Sequence, residues 1–110
     1  MMVYCFDLDG TLCSQTHDKK YMEAVPFSKA IEAVNKLFDQ GHTIIIDTAR
    51  GSTSGFDWSS MTENQLKSWG LKYHKLIVGK KIHADIFIDD KAISAEEWRD
   101  SLEKDLSNDQ

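Results

Sequence analysis

Two carboxylates, Asp7 and Asp9, stand two residues apart at the end of a short apolar run beginning at Val3, and Gly10-Thr11 follow them. Buried acids are costly unless a cation or hydrogen-bond donors meet them, so this spacing asks for a partner. Three more apolar runs end the same way. Thr43 to Asp47 leads into Thr48-Ala49-Arg50, Lys75 to Val78 into Gly79-Lys80-Lys81, and Asp85 to Ile88 into Asp89-Asp90-Lys91. In an open parallel sheet, ligands bind outside the carboxyl ends of the strands. Strands commonly end in polar loops. Two carboxylate pairs, a hydroxyl and a lysine spread over four consecutive strand ends are a more particular set.

Phosphoryl transfer uses that set. The phosphoryl group in flight carries charge on its equatorial oxygens, so positioning and charge stabilisation dominate. A hard cation such as Mg²⁺ takes oxygen ligands, which Asp7 and Asp89 can supply, with Asp90 bound directly or just behind them. A lysine and a hydroxyl can hold the remaining phosphate oxygens. One carboxylate can attack phosphorus, and a second, two residues on, can serve as general acid and then base. Gly10 lets the backbone pass close to a phosphate.

The elements that must position these groups are legible from periodicity. Pro26 suits a first helical position, and Phe27, Ala30, Ile31, Val34, Leu37 and Phe38 form one apolar face that Gly41 stops. A second helix is expected to begin near Thr62, with Thr62 and Gln65 as a capping box, and to end at Trp69-Gly70. Ser94 with Glu97 marks the start of a third, in which Trp98, Leu102 and Leu106 share a face. Strands alternating with helices predict an α/β fold: one Rossmann-like, three-layer α/β/α domain over residues 1–110 with a small parallel sheet. Residues 13–25 read as a flap, residues 51–61 as a loop, and 107–110 as a frayed tail.

Asp7-Leu8-Asp9-Gly10-Thr11 resembles the first motif of the haloacid dehalogenase superfamily in its phosphatase form. Thr48 after an apolar strand resembles the second motif, Lys80 the third-motif lysine, and Asp89-Asp90 the acidic fourth motif. Together they span almost the whole chain, and Thr48-Ala49-Arg50-Gly51 with Gly79-Lys80 is similar to a subset of small phosphatases. The resemblance implies a HAD-like sheet of order 3-2-1-4 and a Mg²⁺-dependent phosphomonoesterase working through an aspartyl-phosphate. Asp7 would be the nucleophile, and Asp9 the proton donor and then base. Thr48, Ala49, Gly10 and Lys80 would form the phosphate site. Asp7, Asp9 through its main-chain carbonyl, Asp89 and Asp90 would form the metal set. Lys81 departs from the pattern, where proline often follows the lysine, and leaves two lysines competing for the phosphate. Residues 51–61 replace the usual cap, so the site should be open. An open site serves a large partner, or a small one when a homo-oligomer supplies the lid.

A net charge of -5 argues against a chain that tracks nucleic acid and favours a small phosphorylated metabolite such as a sugar phosphate. A nucleotide or polynucleotide phosphatase, or an idle phosphate-binding or signalling module on a similar sheet, are the competing expectations. A receiver-type module would carry its phosphoacceptor after the third strand, where this chain has Gly-Lys. No apolar run reaches the roughly 18 residues of a membrane span, and Cys5 and Cys13 are expected as free thiols of a cytoplasmic protein. Arg50, Trp58 and Tyr21 are candidate substrate contacts. His42 and His74 precede strands, at the end of the sheet away from the site, and are expected to be structural.

Overall fold

In a computed structural model, which describes residues 1–18 and 20–108 with the side chains of 104–108 excepted, the chain forms a small α/β domain. Its elements run β1 (Val3–Phe6), a 3₁₀ turn (Tyr21–Glu23), α1 (Ser28–Asp39), β2 (Thr43–Thr48), α2 (Ser59–Ser68), β3 (Lys75–Val78) and α3 (Ala95–Asn108). The three strands are parallel in the order β1-β2-β3, with Phe6 opposite Ile46 and Thr48 opposite Val78. This is the 3-2-1 part of the expected order. Among the described residues no helix is long and apolar enough to cross a membrane.

Strand alternation decides which face is buried. Phe6, Ile44 and Ile46 point to one side and join Ala30, Ile31 and Val34 of α1 and Leu66 of α2 in a single core. Each fully buried aliphatic side chain contributes about 1.5–3 kcal/mol. Trp98 of α3 closes this side, its ring 5.1 Å from Phe6. The opposite face stays open, with Val3, Cys5, Thr43 and Lys75 exposed. The sheet thus has helices on one face, two layers where three were expected, and Cys5 is a free, exposed thiol on β1.

The fourth strand expected over Asp85 to Ile88 does not form. The segment runs outside the sheet, with Ile86 77% and Ile88 95% exposed. The reason is chain length: a parallel neighbour needs a crossover of a dozen or more residues, and only residues 79–84 separate β3 from Asp85. The edge of β1 therefore stays free, and a cavity of about 570 Å³ runs along it.

Helix ends follow local chemistry. Gly41, at φ +94°, closes α1: its amide donates to the Phe38 carbonyl and that of His42 to Leu37. Gly70 and Leu71 close α2 in the same way. Two starts differ from expectation. α1 begins at Ser28, because Pro26 bridges back to Cys13 and anchors the flap. α2 begins at Ser59, three residues before Thr62; the Asp57 carboxylate accepts from the Ser59 amide, and the Ser59 hydroxyl, with that amide, holds its carboxyl below the usual range. Ser94 caps α3 as expected, its hydroxyl accepting from the Glu97 amide at 3.1 Å. The backbone of α3 is helical through Asn108, and the last two residues of the expected tail lie outside the described set.

Candidate active site

The carboxyl ends of the three strands converge, as the open-sheet geometry requires. Asp7 leaves β1 half-buried. Its Oδ1 lies 3.2 Å from Lys81 Nζ, and its Oδ2 accepts from Thr11 Oγ1 at 3.4 Å. A carboxylate held between a lysine and a hydroxyl keeps its charge in place at little cost. Of the two competing lysines, Lys81 reaches Asp7, while Lys80 is exposed.

Asp9 sits in a tighter setting. Arg50 donates from Nε to Asp9 Oδ2 at 2.9 Å and from its NH2 nitrogen to Oδ1 at 2.8 Å, a bidentate pair with side-chain exposures of 0% and 13%. The other terminal nitrogen of Arg50 donates to Thr62 Oγ1 at 3.2 Å and Gln65 Oε1 at 2.7 Å, and the guanidinium lies 4.6 Å from the centre of the Tyr21 ring. The Cys13 thiol, 3.5 Å from Asp9 Oδ1, is pushed up to about 12 by burial and by the neighbouring carboxylate. It stays neutral and acts as a weak donor, not as a nucleophile.

The turn around these acids is built from backbone. Gly10 sits at φ +87°, and a Cβ there would fall 2.5 Å from the Gln15 side-chain nitrogen. That nitrogen donates to the main-chain carbonyl of Asp9 at 3.1 Å, and Arg99 of α3 donates to the Gly10 carbonyl. Thr48, 1% exposed at the end of β2, accepts the Arg50 amide on its hydroxyl at 3.4 Å. Ala49 beside it is exposed.

The acidic pair after residue 88 is placed more loosely. Both are exposed; Asp89 lines the same cavity as Asp7, Asp47 and Lys81, and Asp90 does not. The Lys91 amide donates to Asp89 Oδ1 at 3.0 Å and holds that carboxyl below its usual range, Asp90 adding to the effect. Asp47 Oδ1 is buried without a hydrogen-bond partner among the described residues. An orphaned carboxylate oxygen in a cavity walled by two more carboxylates is the kind of group a hard cation or ordered water satisfies. By donor type the cavity fits Mg²⁺, although no three His, Cys, Asp or Glu side chains among the described residues yet converge to hold an ion.

Of the three candidate substrate contacts, Arg50 is closed off from solvent and donates four hydrogen bonds to protein groups. Tyr21 and Trp58 meet edge to face at 4.9 Å, and Phe56 leans on Trp58 at 4.8 Å. This aromatic corner joins the flap to the loop after β2. Gly51 makes that loop possible, since at φ +83° a Cβ would fall 2.2 Å from the Phe56 carbonyl oxygen. His42 and His74 accept the amides of Met2 and Ile44, at 3.1 and 3.0 Å, and are structural as expected. Sequence reasoning missed Thr62 and Gln65 as partners of Arg50, because their spacing also suits a capping box. The available signal was an arginine directly after a buried strand, which must find an acid and further acceptors.

No family model matches the chain, and no curated protein does. A solved crystal structure of a structural-genomics target from Vibrio cholerae is similar, at 24% identity and a TM-score of 0.77 over all of both chains. At that identity the likeness is one of fold: the chain shares the α/β architecture of the Vibrio protein.

Proposed function

We propose that the chain is a Mg²⁺-dependent phosphomonoesterase of the haloacid dehalogenase type, acting on a small phosphorylated metabolite. The observation that carries this is Asp7, held at a strand end between Lys81 and Thr11, with a second carboxylate two residues on. Asp7 Oδ attacks phosphorus, and the bond from phosphorus to the ester oxygen breaks. With a proton taken from solvent on its exposed side, Asp9 would act as the acid to that leaving oxygen; in the structure both of its oxygens accept from Arg50. Asp9 then takes a proton from water as the water oxygen attacks the aspartyl-phosphate. Phosphate departs and the Asp7 carboxylate is restored, so atoms and charge balance over the cycle. Lys81 offsets negative charge beside the attacking oxygen.

The residues that would hold Mg²⁺ are Asp7 and Asp89, which line the cavity with the unpartnered Asp47, and the main-chain carbonyl of Asp9, which also accepts from Gln15. The ion supplies charge neutralisation on the phosphoryl oxygens. The open face and the short 51–61 loop leave room for a sugar-sized leaving group, and the acidic balance disfavours a polynucleotide.

The test is Asp7→Asn against wild type on p-nitrophenyl phosphate with Mg²⁺. The expected result is turnover by the wild type that falls to background in the variant. Equal rates from the two proteins remove Asp7 as nucleophile.

A further inference from the structure

Arg50 is the largest fully buried side chain of the described residues, and nothing in the proposed chemistry uses it. Burying a guanidinium–carboxylate pair is a weak route to stability, since desolvation consumes most of the attraction and an apolar pair does as well. The details point to geometry. Two parallel N–H···O bonds fix the plane of the Asp9 carboxylate and both of its torsions. The guanidinium is fixed in turn by two acceptors on α2 and by the Tyr21 ring. Gln65 reaches onward, donating from Nε2 to the Tyr21 carbonyl at 2.7 Å. One chain of contacts therefore runs from Asp9 through Arg50 and Gln65 to the flap. Asp9 keeps a small exposed side, so it is gripped from behind and open towards solvent.

We propose that Arg50 is a positioning residue for Asp9: a buried guanidinium that holds both carboxylate oxygens and ties them, through Gln65, to the flap at Tyr21. This rests on the phosphatase reading for the role of Asp9. It assigns Arg50 away from substrate, because a guanidinium with no exposed surface and four of its five N–H groups already bonded to protein is out of an anion's reach. A misplacement of about 1 Å in such a group costs roughly 100-fold in rate. The flap then acts on the chemistry without touching the phosphoryl group. Its position at Tyr21 sets where Gln65, Arg50 and finally Asp9 sit.

The test uses Arg50→Lys, which keeps the charge but cannot span both carboxylate oxygens, and Gln65→Met, which leaves the ion pair and cuts the link to the flap. The first readout is kcat/KM on two esters: p-nitrophenyl phosphate, whose leaving group needs no proton, and a simple alkyl phosphate, whose leaving group does. With Asp9 misplaced, Arg50→Lys loses roughly 100-fold on the alkyl ester and only a few-fold on the aryl ester. Arg50→Lys added to Asp9→Asn then brings no further loss. A merely structural defect lowers both esters alike, and that result overturns the proposal. If Asp9→Asn separates the two esters and Arg50→Lys does not, the role of Arg50 fails while the phosphatase reading stands.

The second readout needs no turnover. Amide hydrogen exchange at residues 20–24 and 10–13 is expected to rise at least 10-fold in both variants. Unchanged exchange in both overturns the link to the flap, even in a protein that hydrolyses neither ester.

Discussion

Replacing Arg50 by methionine removes a buried cation and keeps most of its apolar stem. The Asp9 carboxylate, 13% exposed, loses its two charge-assisted hydrogen bonds and, among the described residues, keeps the weak Cys13 thiol as its side-chain donor. At 2.8 Å and an effective dielectric constant of 20, the pair is worth about 6 kcal/mol before desolvation. Removing one partner of such a pair costs about 3–5 kcal/mol, because the other charge remains buried. For a domain of this size, at about 4 °C per kcal/mol, Tm falls by about 12–20 °C. The companion variant is Arg50→Met with Asp9→Leu, which removes both charges and should return to within about 1–2 kcal/mol of wild type. Urea unfolding followed by circular dichroism, with m-values compared, measures all four corners of the cycle. A loss below about 1 kcal/mol for Arg50→Met would refute the burial argument. A double variant as unstable as the sum of the singles would show that the two side chains are not coupled.

Lys81→Ala should lower kcat/KM for an aryl phosphate by roughly 10–100-fold and Lys80→Ala by little, as only Lys81 lies against Asp7; the reverse order would exchange their roles. Gly51→Ala places a Cβ against the Phe56 carbonyl at a positive φ and should cost more than about 1 kcal/mol by urea unfolding, whereas Gly55→Ala, with open space around it, should cost less. The Cys13 thiol is raised from 9.0 to about 12, so the folded state holds a proton that the unfolded chain releases. Its contribution is intact below pH 9 and declines as pH rises from there towards 12. Cys13→Ala should flatten that alkaline slope, and an unchanged slope would assign it to other groups. At pH 8 a thiol reagent should label exposed Cys5 well before buried Cys13, and equal labelling would show that the flap opens freely.

The sequence by itself determined the local units. The apolar stripe from Ala30 to Phe38 requires a helix that buries one side, and Gly41 and Gly70 stop helices because only a residue without a Cβ takes those turns cheaply. The β-branched run at Ile44 to Ile46 requires a strand in the centre of the sheet. It also determined that acids and a hydroxyl fall at strand ends, since a parallel sheet brings those ends to one side. Tertiary structure decided what those groups face. Thr62 and Gln65 fit a capping box by spacing, yet they turn inward once Arg50 needs acceptors. Lys80 and Lys81 are equivalent in sequence, and the direction of the segment after Gly79 selects Lys81. Asp85 to Ile88 has the composition of a strand, but too short a connection to return as a parallel neighbour of β1. Pattern is a property of neighbours along the chain. Partners are chosen by distance through space, which is why Arg50 could be seen in the sequence and its grip on Asp9 could not.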